Sequence, residues 1–149
     1  MDKQILVKAA NFCAYQERTQ DELRQRLKAW NVYGNEAEEL IAELISQDYI
    51  NEERFAKTYA GGKFRVKKWG KIKIEQALKI KGLSDYCIQQ GLREIDEEEY
   101  FLVLQALLHK KLHEYRELEN PFIRKRKTAD YAIRKGFESA LVWDILREI

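Results

Sequence analysis

The stretch Leu78-Lys-Ile-Lys-Gly-Leu83 decides the fold, because its pattern occurs 51 residues earlier and again 54 residues later. The earlier copy is Leu27-Lys-Ala-Trp-Asn-Val32, and the later copy is Ala132-Ile-Arg-Lys-Gly-Phe137. Each copy places Asn or Gly directly before its last apolar residue. These residue types readily adopt the left-handed backbone that ends a helix. The sequence therefore predicts the same helix end three times.

Apolar residues follow the three copies at matching distances. They stand five, nine and twelve residues after the last residue of each copy: Ala37, Ile88 and Val142; Ile41, Leu92 and Leu146; and Leu44, Ile95 and Ile149. These intervals are typical of one face of a helix. Each copy therefore separates the second and third helices of a repeated unit.

The repeat predicts three units of three helices each, at residues 1–50, 51–95 and 96–149. A single proline and seven glycines suit helices better than a sheet rich in turns. A unit of about 50 residues buries little surface alone, so neighbouring units should stack. We therefore predict an all-α protein in which three tandem, helix-turn-helix-like repeats form an elongated, curved array.

Capping residues and packing faces refine this prediction. Thr19 and Glu22 form a capping box, and Pro121 suits a first helical position because it lacks an amide hydrogen. Gly61 and Gly62 are interpreted as close approach of another helix, with a hinge as the alternative. Further N-caps are predicted at Asn35, Asn51, Ser84, Asp96 and Ser139, and an inward face at Phe101, Leu104, Leu108 and Leu112.

The sequence carries weak signals for catalysis. Cys13 and Cys87 stand singly, and His109 and His113 lack the additional ligand that a zinc site needs. No apolar run approaches the roughly 18 residues of a membrane span, and the N-terminus lacks the long apolar run of a signal peptide. We therefore expect a cytoplasmic protein that is not an enzyme and uses no cofactor.

The net charge of +2 hides a basic middle. Residues 63–81 contain eight basic side chains and one acidic residue, Glu75. Basic residues also recur on the second helix of the other units. The candidate contact residues are Arg24, Arg26, Lys28, Lys63, Arg65, Lys67, Lys68, Lys71, Lys73, Lys79, Lys81, Arg124, Lys125, Arg126, Lys127, Arg134 and Lys135.

Stacked units would align these side chains into a basic stripe suited to a polyanion or an acidic protein groove. Solvated helix faces are the alternative interpretation. Phe64, Trp69 and Tyr33 could stack on bases, but we expect each of them in the core. Sequence-specific DNA reading by the third helices is disfavoured, because their carboxylates would meet phosphates: Glu36, Glu38, Glu39 and Glu43, and Asp144 and Glu148.

Four stretches resemble the RecX family of recombination regulators. The central ones are Gln47-Asp-Tyr-Ile-Asn-Glu-Glu-Arg-Phe-Ala-Lys57 and Trp69-Gly-Lys-Ile-Lys-Ile-Glu-Gln-Ala-Leu-Lys-Ile-Lys-Gly82. The outer ones are Thr19-Gln-Asp-Glu-Leu-Arg-Gln-Arg-Leu27 and Ala132-Ile-Arg-Lys-Gly-Phe137, which are more generic. The resemblance covers nearly the whole chain.

The resemblance implies three tandem three-helix repeats and a regulatory role. Proteins of this family bind the RecA recombinase and its filament on single-stranded DNA, and restrain strand exchange and ATP hydrolysis. From the resemblance we assign Phe55, Ile74 and Leu78 to packing, and Gly70 and Gly82 to backbone geometry. Arg54 and Lys81 also match the central motif.

By this resemblance the partner is the RecA filament, and we expect a monomer that lies in the filament groove. Direct contact with single-stranded DNA is left open. Two alternatives remain: a nucleic-acid-binding module that acts without a recombinase, and a structural adaptor for another acidic protein.

Overall fold

The computed structural model describes residues 1–149 and contains nine α-helices and no strands, which confirms the all-α prediction. The helices are α1 Lys3–Tyr15, α2 Gln20–Ala29, α3 Gly34–Ser46, α4 Glu52–Lys67, α5 Lys71–Ile80, α6 Asp85–Leu92, α7 Glu97–Glu114, α8 Pro121–Arg134 and α9 Ser139–Arg147. We call α1–α3 the first unit, α4–α6 the second and α7–α9 the third. None of the nine helices combines the length and the hydrophobicity that a membrane-spanning segment requires.

The second helix of every unit ends with the same hydrogen-bonding motif. Asn31, Gly82 and Gly136 have φ angles of 61°, 87° and 103°, so all three adopt the left-handed backbone. The amide of the following residue donates to a carbonyl five residues earlier: Val32 to Leu27 at 2.8 Å, Leu83 to Leu78 at 3.3 Å and Phe137 to Ala132 at 3.2 Å. This Schellman geometry satisfies carbonyls that the helix end leaves free. The repeated helix end predicted from the sequence is confirmed.

The buried apolar residues form two cores that share no member. Ten residues between Ala9 and Ile50 make the core of the first unit. Eighteen residues between Phe55 and Leu146 make one core that the second and third units hold in common. Burial of apolar surface is the main favourable term in folding. The second and third units therefore stabilise each other, while the first unit has a core of its own.

Polar side chains join the first unit to the second. The Arg54 guanidinium lies 2.6 Å from Glu17 and 2.9 Å from Asp48. The Gln20 amide donates to the Glu52 carboxylate at 3.1 Å. Ion pairs that are this exposed contribute little to stability. At the contact between the first and second units, hydrogen bonds that orient the two units therefore matter more than buried apolar area.

The first turn of α5 has no side-chain cap of its own and is capped by the third unit. The Gly70 amide donates to the Lys135 carbonyl at 2.8 Å, and the Ile72 amide donates to the Gly136 carbonyl at 3.0 Å. Between them, the Lys71 amide donates to the Tyr100 hydroxyl at 3.0 Å. The free amides of a helix start must find partners, and here they find them across the junction of two units.

Gly70 is required at this junction for space. Its φ of −76° is open to any residue, but a Cβ at Gly70 would lie 2.2 Å from the carbonyl carbon of Gly136. No side chain fits at that separation. The expected role of Gly70 in backbone geometry therefore takes a specific form, which is close approach of two turns.

Tyr100, and not Phe101, is the aromatic residue that α7 buries. Tyr100 is 2% exposed and packs between Phe64 and Phe137, with ring centroids 5.7 and 5.1 Å away. Phe101 is 40% exposed. The Tyr100 hydroxyl also donates to the Glu138 carboxylate, which explains how a polar group is tolerated in the core.

Most of the predicted caps are confirmed, and two are wrong. Thr19 and Glu22 form the capping box, Pro121 starts α8, and Asn51, Ser84 and Asp96 accept amide hydrogens at their helix starts. Asn35 lies inside α3, where Gly34 makes the entry with a φ of 64°. Ser139 is the first residue of α9, and the preceding Glu138 turns its carboxylate to Tyr100.

The paired glycines of α4 do not mark the closest helix contact. A Cβ at Gly62 would meet nothing within 4 Å, and the three atoms nearest to a Cβ at Gly61 all belong to the flexible Arg65 side chain. The close approach of α4 to α6 occurs instead at Gly91, where a Cβ would lie 2.7 Å from the Ala56 carbonyl oxygen. The close-packing interpretation of Gly61-Gly62 is therefore wrong.

We predict that Gly70→Ala destabilises the junction by about 1–3 kcal/mol, because the added methyl group must push two backbones apart. Urea unfolding followed by circular dichroism measures the change. Gly62→Ala is the matched control: it adds the same methyl group to open space in a helix and should be neutral or stabilise by up to about 1 kcal/mol. Equal effects at both positions would contradict the junction described here.

Tyr100→Phe tests the polar part of the same junction. Removing the hydroxyl leaves the Lys71 amide and the Glu138 carboxylate without a partner, so we expect a loss of about 1–3 kcal/mol in the free energy of unfolding. Tyr86→Phe, at an exposed position, should change it by less than about 0.5 kcal/mol. A Tyr100→Phe protein as stable as the parent would show that the hydroxyl contributes nothing to the junction.

Candidate polyanion interface

The backbone contact between Gly70 and Gly136 gathers basic side chains from both units. Lys67 ends α4, Lys73 lies in the first turn of α5, and Lys135 follows α8. The Lys135 amine donates to the Lys67 carbonyl at 2.6 Å, and a Cβ at Gly136 would lie 2.4 Å from the Lys73 Cβ. Lys135 therefore meets Lys67 and Lys73, which lie more than 60 residues before it in the sequence, at one place on the surface.

A fourth amine, that of Lys111 on α7, lies beside them. Its Nζ is 4.0 Å from the centre of the Tyr131 ring on α8, one turn before Lys135. Burial and the positive charges of Lys73, Lys67 and Lys111 lower the pKa of Lys135. We call Lys67, Lys73, Lys111 and Lys135 the lysine cluster. A bound anion would relieve the repulsion between these amines.

Lys111 was not predicted, because only the dense basic segments were considered. These were expected on the second helix of each unit, which is wrong for the basic residues at 63–67, since they lie on α4, the first helix of the second unit. A signal was present: Tyr100, Leu104 and Leu108 form the buried face of α7, and Lys111 continues that face by one further step. A lysine at the end of a buried face can lay its stem along apolar surface and present its amine at the edge.

Aromatic rings adjoin the lysine cluster on the second unit. Phe55 and Tyr59 are stacked with centroids 5.9 Å apart, and Tyr59 meets Trp69 edge to face at 6.5 Å. Lysine amines lie over this row: Lys63 and Lys73 are 4.9 and 4.6 Å from the Trp69 centroid. We call Phe55, Tyr59 and Trp69 the aromatic row.

Lys81 extends the charge along the aromatic row. Its amine lies 5.8 Å from the Phe55 centroid and 5.6 Å from that of Tyr59. Cations above aromatic faces are held by the ring quadrupole and keep their charge available to solvent. Lys63, Lys73 and Lys81 therefore line one row, and Lys73 connects that row to the lysine cluster.

The expectation that the three aromatic residues lie in the core holds in part. Phe64 is buried, and Trp69 is half-buried against the shared core. Tyr33 is 63% exposed, so the expectation for it is wrong. Tyr33 precedes α3, where the chain enters the helix through Gly34 without a side-chain cap, and the ring remains at the surface.

Several predicted contact residues are engaged elsewhere. Arg24 pairs with Asp21 at 2.5 Å and with Glu38 at 2.8 Å, and these contacts raise its pKa. Lys71 lies 2.5 Å from Glu97, and Lys79 lies 3.2 Å from Glu75. The charge of each is locally balanced, so these three residues are weaker candidates for contact.

The remaining predicted residues lie outside the lysine cluster and the aromatic row. Arg26 lies 4.8 Å from the Phe12 ring, Lys127 lies 5.6 Å from the Tyr115 ring, and the Lys125 amine donates to the Ile149 carbonyl. Six further predicted residues form no ion pair and are exposed or half-buried: Lys28, Arg65, Lys68, Arg124, Arg126 and Arg134.

The other reactive side chains are dispersed. His109 and His113 are both exposed on α7, and no group of three or more His, Cys, Asp or Glu side chains is placed to hold a metal ion. Cys13 is buried in the first core, and burial raises the pKa of its thiol to about 11. Cys87 is a half-buried free thiol.

Comparison with known families accounts for almost the whole chain. Family models for the first, second and third three-helix domains of RecX match residues 6–44, 51–92 and 97–146, in that order. The chain belongs to the RecX family. The prediction of three tandem three-helix repeats from the spacing of the helix ends is thereby confirmed.

Curated RecX proteins and solved RecX structures agree with this assignment. The chain is 27% identical over 145 residues to the regulatory protein RecX of Clostridium acetobutylicum, covering 95% of this chain and 67% of that protein. It is 28% identical over 144 residues to that of Bacillus cytotoxicus, covering 96% and 53%. The chain thus spans about half to two thirds of the length of these relatives.

The fold is that of RecX crystal structures. RecX from Lactobacillus salivarius superposes with a TM-score of 0.89 at 23% identity, covering 98% of this chain and 94% of that chain. A second RecX structure gives a TM-score of 0.83 at 23% identity, covering 97% and 72%. The lysine cluster and aromatic row thus lie on a RecX fold.

We predict that Lys67→Gln raises the thermal midpoint by about 1 °C at low ionic strength, because it removes one charge that repels Lys135. The effect should vanish in about 1 M salt, which screens charges beyond roughly 3 Å. Differential scanning calorimetry at both salt concentrations measures it. Arg65→Gln, an equal charge change on the same helix, is the control, and an identical shift there would exclude a local cause.

Proposed function

We propose that this chain is a regulator that binds the RecA recombinase on single-stranded DNA and restrains strand exchange and ATP hydrolysis. The observation that carries the proposal is the match to all three RecX domains, in order, along the chain. The curated relatives are named regulatory proteins, which fits action on another macromolecule rather than on a small substrate.

In this proposal the contact surface is the lysine cluster together with the aromatic row. Its amines come from α4, α5, α7 and the end of α8, so the surface is continuous across two units. A filament on single-stranded DNA presents phosphates and acidic protein surface, and clustered amines are suited to both. Binding across several recombinase subunits would hinder the motions that strand exchange requires.

A second function, nucleic-acid binding without a recombinase, is favoured by the aromatic row. Single strands are commonly held by aromatic stacking combined with lysines along the backbone. Here lysine amines lie over the half-buried rings of Tyr59 and Trp69. This arrangement suits phosphate contact at the edge of the rings. The chain would act in the cytoplasm in either case.

The test compares two double variants in a RecA ATPase assay on single-stranded DNA. Lys67→Glu with Lys73→Glu reverses two charges of the lysine cluster and should raise the half-inhibitory concentration about tenfold or more, which is about 1.4 kcal/mol of binding. Lys3→Glu with Arg93→Glu changes the net charge equally at exposed positions outside the cluster and should leave inhibition near the parent value. Lys71 is left intact because it pairs with Glu97.

A pull-down of RecA with and without DNA, across a salt series, separates the two functions. Capture of RecA without DNA supports the regulator. Binding to DNA with a steep salt dependence, and no effect on RecA, supports the nucleic-acid module. Undiminished inhibition by the cluster variant would show that the contact surface lies elsewhere on the molecule.

A further inference from the structure

The lysine cluster spans the junction between the second and third units, which distinguishes it from the other basic residues of the chain. Lys67 and Lys73 belong to the second unit, and Lys111 and Lys135 belong to the third. The backbone contacts that join the units run from Gly70 to Lys135 and from Ile72 to Gly136, so they involve Lys135 itself and the residue before Lys73. Repulsion among the amines therefore acts to separate the two surfaces that those hydrogen bonds hold together.

Nearby carboxylates neutralise one member of the lysine cluster, Lys111, and leave the other three without a counter-charge. Glu114 is paired with Lys111 at 2.8 Å, Glu97 with Lys71 at 2.5 Å, and Glu138 accepts the Tyr100 hydroxyl. Lys67, Lys73 and Lys135 have no carboxylate within 4.0 Å. Three positive charges thus converge without a counter-charge from the protein.

Two of these three amines are also held in place, whereas the amine of an ordinary surface lysine is mobile. The Lys135 amine is fixed by the Lys67 carbonyl, and the Lys73 amine lies over the Trp69 ring. Lys135 and Lys73 are half-buried, so their stems pack while their amines reach the surface. Preorganised amines lose less freedom on binding, and this favours a compact multivalent anion.

We propose that Lys67, Lys73 and Lys135, with Lys111 beside them, form a phosphate-binding site whose occupancy tightens the junction between the second and third units. A nucleic-acid backbone and a free polyphosphate are the two sources of such a phosphate, since both present the same oxygens to the amines. A bound phosphate replaces repulsion across the junction with attraction to a shared anion. Ligand that binds the folded state stabilises it by mass action.

This inference deepens the proposed function by naming what the basic surface contacts, and it is tested without any recombinase. Its failure would therefore leave a protein-mediated contact with RecA standing. Conversely, failure of the ATPase assay would leave the phosphate site standing.

The first measurement is thermal stability of the full chain with tripolyphosphate or a short oligothymidylate, each against sodium chloride at matched ionic strength. We expect a saturable rise in the thermal midpoint with at least one probe. A rise with oligothymidylate alone identifies a nucleic-acid backbone as the source, and a rise with tripolyphosphate alone identifies a free polyphosphate. No rise beyond that of sodium chloride overturns the proposal.

The second measurement uses variants. Lys135→Gln removes one amine but also its hydrogen bond to the Lys67 carbonyl, so Lys67→Gln, which keeps that carbonyl, is the companion variant. Each should weaken binding of the active probe and, with oligothymidylate, reduce the slope of log affinity against log salt by about 0.7. Lys3→Gln and Arg93→Gln are charge-matched controls that should reduce neither. Equal losses in all four variants overturn the site.

The third measurement reads the junction itself by amide hydrogen exchange. The Gly70 and Ile72 amides donate across the junction, whereas the Val32 amide donates within the first unit. The active probe should slow exchange at Gly70 and Ile72 at least about tenfold more than at Val32 if its occupancy tightens the contact. Uniform slowing, or none at the two junction amides, would overturn the coupling.

Discussion

The start of α5 is a helix end that its own sequence does not complete. Gly70 offers no capping side chain, and the first amides of the helix would be unsatisfied if the third unit were absent. The carbonyls of Lys135 and Gly136 and the hydroxyl of Tyr100 supply the missing acceptors. Because unsatisfied buried amides are costly, this single requirement fixes the distance and the orientation between the second and third units.

Other features of the molecule follow from that contact. Two turns can approach this closely only if neither carries a side chain, which explains the glycine on each side. Tyr100 must lie between Phe64 and Phe137 so that its hydroxyl reaches the helix start. The same approach brings Lys67, Lys73 and Lys135 together. The charge that suits the surface for an anion is thus a consequence of how the core is closed.

The parts of the fold that depend on local sequence could be predicted, and those that depend on long-range contact could not. The repeated helix ends need only residues within five positions of each other, so Asn31, Gly82 and Gly136 were identified from spacing. The acceptors for α5 are about 30 and 65 residues away along the chain, and no local pattern indicates them. The charge of the middle segment was predictable for the same reason that the helix ends were, since it is a property of adjacent residues. Which basic side chains are neutralised by the protein could not be predicted in this way. Arg24 is balanced by Glu38 of another helix, while Lys73 and Lys135 are left without a counter-charge.

The division of the buried residues into two separate cores has a consequence for how the chain comes apart. Because the ten residues of the first core and the eighteen of the second share no member, loss of α1–α3 would remove no residue from the apolar core of α4–α9. We therefore expect two cooperative folding units although the chain contains three sequence repeats. We expect a species in which only α1–α3 is unfolded, separated from the native state mainly by the ten-residue core and the two ion pairs of Arg54.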